Sequence, residues 1–234
     1  LREFKDRINW TQALVHIKMN EMELTEFESY LDWNIVSNFQ CLSMPFIKKY
    51  KQQLNMNIIS VTQSLDEPFL RKYFSEIDPF NLSTYQTLSL EFIRDYANEL
   101  DWAMLCLSQN ISESFIEEMY IYIVWRVIGH IPNLSENFMR RYVLQMDAIQ
   151  ISMNQNLSLN FVNDYQVIID WHALSNNPLL DPDVAGQYMH RLDPTPIVFN
   201  AINRYYERIT AIQIICAKTK LPTTDVTMMI AEYL

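Results

Sequence analysis

Residues 88–110 read LSLEFIRDYANELDWAMLCLSQN. The preceding stretch, 65–87, reads LDEPFLRKYFSEIDPFNLSTYQT, and the following one, 111–133, reads ISESFIEEMYIYIVWRVIGHIPN. Each begins 23 residues after the last, without insertion or deletion. A constant period in the range of about 20–50 residues is the mark of stacked, like-for-like structural units. Extended in both directions, the register gives units starting at Met19, Leu42, Leu65, Leu88, Ile111, Leu134, Leu157 and Leu180.

The residue after each start is Asn20, Ser43, Asp66, Ser89, Ser112, Ser135, Ser158 or Asp181. All carry a short side-chain oxygen that can accept from a free N–H in the first turn of a helix, so this column is predicted to be an N-cap. Pro45, Pro68 and Pro182 fall in the first turn behind it, where proline removes no intrahelical bond. At offsets 3, 4, 7 and 11 from the cap, illustrated by Phe92, Ile93, Tyr96 and Leu100, the residues are apolar or aromatic in nearly every unit. Those offsets trace one face of a helix of about 11 residues.

A second cap column follows: Asn9, Asp32, Asn55, Asp78, Asp101, Asp147, Asp170 and Asp193, broken only by Val124. Behind it stands Trp10, Trp33, Trp102, Trp125 or Trp171, with Pro79 and Pro194 in two units, again fitting a first turn. A small residue such as Ser37, Ser60, Ser83, Cys106 or Gly129 then marks close approach of a neighbouring helix. Gln40, Gln63, Gln86, Gln109 and Gln155 end their units, either closing the second helix, bridging to the adjacent unit, or lying in solvent.

Each unit is therefore expected to be a helix, a tight turn, a short second helix and another turn. Neither helix would persist alone, since isolated helices below about 12–15 residues are marginal in water. Stacking buries the aromatic columns, at roughly 1.5–3 kcal/mol per large side chain. The expected fold is all-α: an α-solenoid of short two-helix 23-residue repeats, with a longer C-terminal capping helix. Residues 1–197 form the array, about eight units with the first partial. Residues 198–234 form the helical cap or begin a further region. Glu23 stands where Phe is usual, so the Met19 unit is expected to pack less well. The Leu180 unit, with three prolines and a glycine, is degraded; a long helix over about 198–218 and a short one after Pro222, capped by Thr223 or Thr224, should follow.

Composition narrows the function. The chain has 234 residues, 49% hydrophobic, with only two glycines, and no apolar run long enough for a membrane span. It opens inside a partial unit, as expected of a segment of a longer protein. The formal net charge of −10 argues against nucleic-acid binding, which needs clustered Lys and Arg. Three well-separated cysteines, Cys41, Cys106 and Cys216, make neither a disulfide framework nor a zinc site and suit a reducing compartment.

No catalytic constellation is legible. His16, His130, His172 and His190 lack metal-ligand spacing, and the Ser and Asp columns are already engaged as caps. No catalytic, cofactor or metal residue is expected. The recurrent basic positions Lys48, Lys49, Arg71, Lys72, Arg94, Arg140 and Arg141 lie on one solvent face and form the candidate partner-contact surface.

The pattern L-S-x-x-F-I-x-x-Y-x-x-x-L-D-W-x-x-L-S-x-x-Q resembles the short helical repeats of many proteins of large double-stranded DNA viruses. LSMPFIKKYKQQLNM, LSLEFIRDYANELDW and LSENFMRRYVLQMDA carry the likeness, which spans about residues 8–197. It implies a viral protein in the virion, or in the host-cell cytoplasm during assembly. The expectation that follows is a non-enzymatic structural protein, a minor capsid or internal virion component bridging other viral proteins. The alternatives are an intracellular adaptor binding a host or viral protein, and an enzyme whose active domain lies elsewhere in a longer chain.

Overall fold

A computed structural model describes residues 2–219 and 222. Among the described residues every regular element is helical, and the chain is all-α. By its internal contacts it divides into two compact units, Leu1–Ile123 and Val124–Leu234.

In the first unit the first helices of successive repeats are Glu21–Glu26, Met44–Lys49, Glu67–Lys72, Leu90–Asp95 and Glu113–Glu118. The second helices are Trp10–His16, Trp33–Phe39, Met56–Thr62, Pro79–Tyr85 and Trp102–Ser108. Each of the first four packs on its equivalent one repeat later. In the second unit, Trp125–Ile128 packs on Ala148–Asn154, which packs on Trp171–Ser175. The first helix Leu159–Asp164 packs on Pro182–Tyr188, and the latter receives the long helix Pro196–Thr219.

The caps act as the chemistry of their side chains requires. Ser89 Oγ accepts from the N–H of Phe92 at 3.0 Å, and Asp101 Oδ1 accepts from the N–H of Met104 at 3.0 Å. Val124 has no side-chain oxygen, and the helix behind it is only four residues long. Asp193 keeps the backbone bond of its column, its N–H donating to Ser175 Oγ, but its carboxylate lies against His172, and Thr195 caps the long helix, its Oγ1 accepting from Val198 N–H.

The first helices are shorter than their apolar offsets suggest. Leu90–Asp95 is a six-residue α-helix, left at Tyr96 with φ −113° and ψ 25°. The N–H groups of Glu99 and Leu100 both return to the Tyr96 carbonyl, making one tight turn. That turn carries Leu100 back into the core that a continuous helix would also have reached, which is why the two geometries share one sequence pattern. Glu23 is half-buried where Phe46 and Phe69 are buried, and it takes a different task. Its carboxylate accepts from Asn20 N–H at 2.9 Å while Asn20 Oδ1 accepts from Glu23 N–H at 3.0 Å, a reciprocal cap, and Leu24 beside it is fully buried.

Between repeats the core is aromatic. Trp33 stacks on Tyr50 of the next repeat at 4.9 Å, and Trp10 lies 4.9 Å from Phe27. Where Pro79 replaces tryptophan, Phe74 from the preceding turn stacks on Tyr96 at 4.0 Å.

The glutamine column bridges adjacent repeats. Gln86 Oε1 accepts from Leu65 N–H at 3.0 Å, and its Nε2 donates to the carbonyls of Ser60 and Gln63 at 2.6 and 2.8 Å. Gln40, Gln109 and Gln155 each make the same three bonds to the repeat before, and Gln63 makes two of them, accepting from Leu42 N–H and donating to Gln40 O. Serines of the small column form a second set of rungs: Ser83 Oγ donates to Pro79 O and accepts from Asp101 N–H at 3.0 Å. Gly129 occupies that column where the backbone of Gln150 and Ile151 comes within 3.0 Å of any Cβ. The Cys216 side chain and the short helix expected after Pro222 lie outside the residues and side chains described.

Two substitutions test these rungs. Gln86→Leu keeps the volume but strands one N–H and two carbonyls in a buried turn, at about 1–3 kcal/mol per group; chemical denaturation should show a large loss, while Gln52→Leu, at an exposed position, changes stability by about 0.5 kcal/mol or less. Gly129→Ser restores the usual residue of its column, yet should destabilise by about 1–3 kcal/mol because its Cβ would lie 2.7 Å from Gln150 Cβ.

Candidate interaction surface

The basic positions singled out above sit on the last turns of the first helices, where cations also complement the helix carbonyl end. The structure places them in two groups. Lys48, Arg71, Arg94 and Arg140 reach across to a neighbouring repeat. Lys48 Nζ lies 2.7 Å from Asp66, and Arg71 Nη1 2.5 Å from Asp95. Arg94 holds Glu118 through two bonds, at 2.6 and 2.9 Å, and Arg140 Nη1 lies 2.5 Å from Asp164. The three arginines also lie over the phenylalanine of the next repeat: Phe92, Phe115 and Phe161, at 5.1–5.3 Å. Lys49, Lys72 and Arg141 are exposed and lie over the tyrosine of their own helix end, Tyr50, Tyr73 and Tyr142.

The ion pairs shift their partners in the direction expected. The hydrogen bond from Arg94 holds the Glu118 carboxyl below its ordinary value of 4.5, and that from Lys48 holds Asp66 below 3.8. Burial works against ionisation of Glu67, but bonds from Ser89 and Arg71 outweigh it and its pKa is also lowered. These pairs are largely solvent-accessible, so each contributes modestly and is weakened by salt.

The histidines remain apart. His172 Nδ1 lies 2.5 Å from Asp193 Oδ2 on the surface, and His130 Nδ1 lies 3.2 Å from its own helix carbonyl at Val127. Among the described residues no group of three or more His, Cys, Asp or Glu is placed to hold a metal ion, and no helix is long and apolar enough to cross a membrane. Cys106 is buried in the small-residue column and Cys41 is exposed. A shallow groove of about 470 Å³ lies between Met22, Thr25, Pro45, Phe46 and Lys49.

Sequence reasoning missed a second surface. Val61, Phe80, Tyr85 and Leu107 are exposed on three successive second helices of the first unit. The signal was available as an absence: segments 33–47, 55–65, 79–90 and 102–112 contain no Asp, Glu, Lys or Arg.

Lowered carboxylate pKa values stabilise the fold above the unfolded values, near 4.5 for Glu and 3.8 for Asp, and that contribution is lost as pH falls through the lower folded values. The thermal midpoint should therefore begin to fall below about pH 4.5. In a carboxyl NMR titration, Glu118 should titrate below its ordinary value in the native protein and return to it in Arg94→Ala; an unchanged Glu118 would show that the pair does not persist in solution.

No family model, no curated protein and no solved structure matches this chain.

Proposed function

We propose that the chain is a non-enzymatic structural protein, a minor capsid or internal virion component of a large double-stranded DNA virus that bridges other proteins of the particle. The resemblance of the repeat supplies the viral setting. The observation that carries the structural role is the destination of the recurring polar side chains. Gln86, Ser83, Arg71 and their equivalents bond to the adjoining repeat, so the chemistry that recurs is used to tie repeats together. An array joined by nearest-neighbour bonds holds attached partners at set spacings. Fold by itself does not dictate this role, and the site must be tested on partners.

The test is mass spectrometry of purified particles of the encoding virus, with cross-linking to identify neighbours. The chain should be recovered in the particles, cross-linked to capsid or other virion subunits through lysines such as Lys49 and Lys72. Recovery only from infected-cell extract, in complex with a host protein, would overturn the virion role in favour of an adaptor.

A further inference from the structure

The repeat 111–133 is built unlike its neighbours. Val124 stands in the second cap column without a side-chain oxygen, and the helix behind it, Trp125–Ile128, runs four residues where Trp102–Ser108 and Ala148–Asn154 run seven. Pro132 stands in the glutamine column and has no amide to offer. Gln86 and Gln109 accept from Leu65 N–H and Leu88 N–H; the equivalent Ile111 N–H bonds to Gln109 O in its own turn, at 3.0 Å. The N–H groups of Val127, His130 and Ile131 each return to a carbonyl three residues back, the poorer geometry of a 3₁₀ turn. Asn133 ends the repeat at φ 59°, in the left-handed region.

The two halves of this repeat are held by opposite neighbours. The first half is tied to the repeat before it. Arg94 holds Glu118 through two bonds, Tyr122 OH donates to Asn98 Oδ1 at 3.0 Å, and the Tyr122 ring stacks on Trp102 at 5.4 Å. The second half is tied to the repeat after it. Gln155 Nε2 donates to Gly129 O and Ile131 O at 2.8 and 2.7 Å, its Oε1 accepts from Leu134 N–H, and the Trp125 ring lies 4.6 Å from Tyr142. The boundary of the two compact units falls between these halves, at Ile123 and Val124. The stability of a repeat array is a sum of each repeat's own stability and its bonds to nearest neighbours. A repeat that has lost its cap and its amide therefore interrupts cooperativity. We propose that the array carries a built-in break here: residues 124–133 open locally while the repeats on either side stay folded, and the chain unfolds as two cooperative blocks. This conformational device is independent of where the protein acts.

Hydrogen exchange followed peptide by peptide on the whole chain, along a denaturant series, tests it. Without denaturant, the amides of 125–131 should exchange about tenfold or more faster than those of 102–108 and 148–154. With denaturant, segments 33–118 and 134–188 should lose protection at two separate midpoints. Val124→Asp combined with Pro132→Gln returns the cap oxygen and the amide; it should slow exchange over 125–131 by about fivefold or more and draw the two midpoints together. A single midpoint for the whole native chain overturns the proposal, as does protection over 125–131 equal to that over 148–154. Both of those measurements use the native chain and stand even where the variant fails to fold. A folded variant that exchanges like the native chain overturns it too.

Discussion

The amide of Gln86 meets a constraint that short helices impose. In any α-helix the first four N–H groups and the last four carbonyls lack intrahelical partners. A helix of six or seven residues is thus nearly all termini, and in the turns between them buried residues such as Leu65 and Leu88 alternate with exposed ones. Buried backbone groups without partners cost about as much as a lost hydrogen bond each. Gln86 supplies three partners at once, one acceptor for Leu65 N–H and two donor bonds for Ser60 O and Gln63 O. Because its targets lie 21 to 26 residues earlier, inserting or deleting a single residue between them would shift the bonds of that rung. The invariant period of the sequence follows from that geometry.

Substitutions within the columns are tolerated where another group can take over the same physical task. Asn177 replaces glutamine in its repeat; its Nδ2 donates to Ser152 O and Gln155 O, but the shorter side chain turns its Oδ1 to Leu179 N–H. Phe74 fills the place left by Pro79 beside Tyr96. Thr195 caps the long helix where the Asp193 carboxylate pairs with His172. The repeat containing Val124, Gly129 and Pro132 has no such replacements for its cap, its serine or its glutamine. There the second helix shrinks to four residues, and Asn133 takes the only positive φ of a non-glycine residue described, 59°.

Cap columns were legible in the sequence because Ser, Asp and Asn at a helix start have one dominant task. Helix length was not, because a turn at Tyr96 and a continuing helix bury the same residues. The amide of glutamine donates and accepts equally well, so its column could not be assigned until the carbonyls around it were placed. The basic face was read correctly as solvent-facing, but its pairing was missed. Arg71 and Asp95, Arg94 and Glu118, and Arg140 and Asp164 are each 24 residues apart, one period plus one. Opposite charges at that separation were visible in the sequence and would have found all three.

That pairing alters which surface can distinguish a partner. A guanidinium already held by a carboxylate, and lying over a phenylalanine ring, must give up both contacts to bind anything else. Arg94 and Arg140 are therefore poorer anchors than their charge suggests, and Lys49 and Lys72, each over only its own tyrosine, are the better ones. The second helices face the opposite situation. Their polar side chains are drawn inward to the rungs, so Ser83 and Gln86 are buried while Phe80, Tyr85 and Leu107 are left outside. The same bonding that joins one repeat to the next thus leaves charge on the first-helix side and apolar surface on the second. Contact at Arg94 or Arg140 must break an ion pair, whereas Phe80, Tyr85 and Leu107 of the first unit are exposed without one.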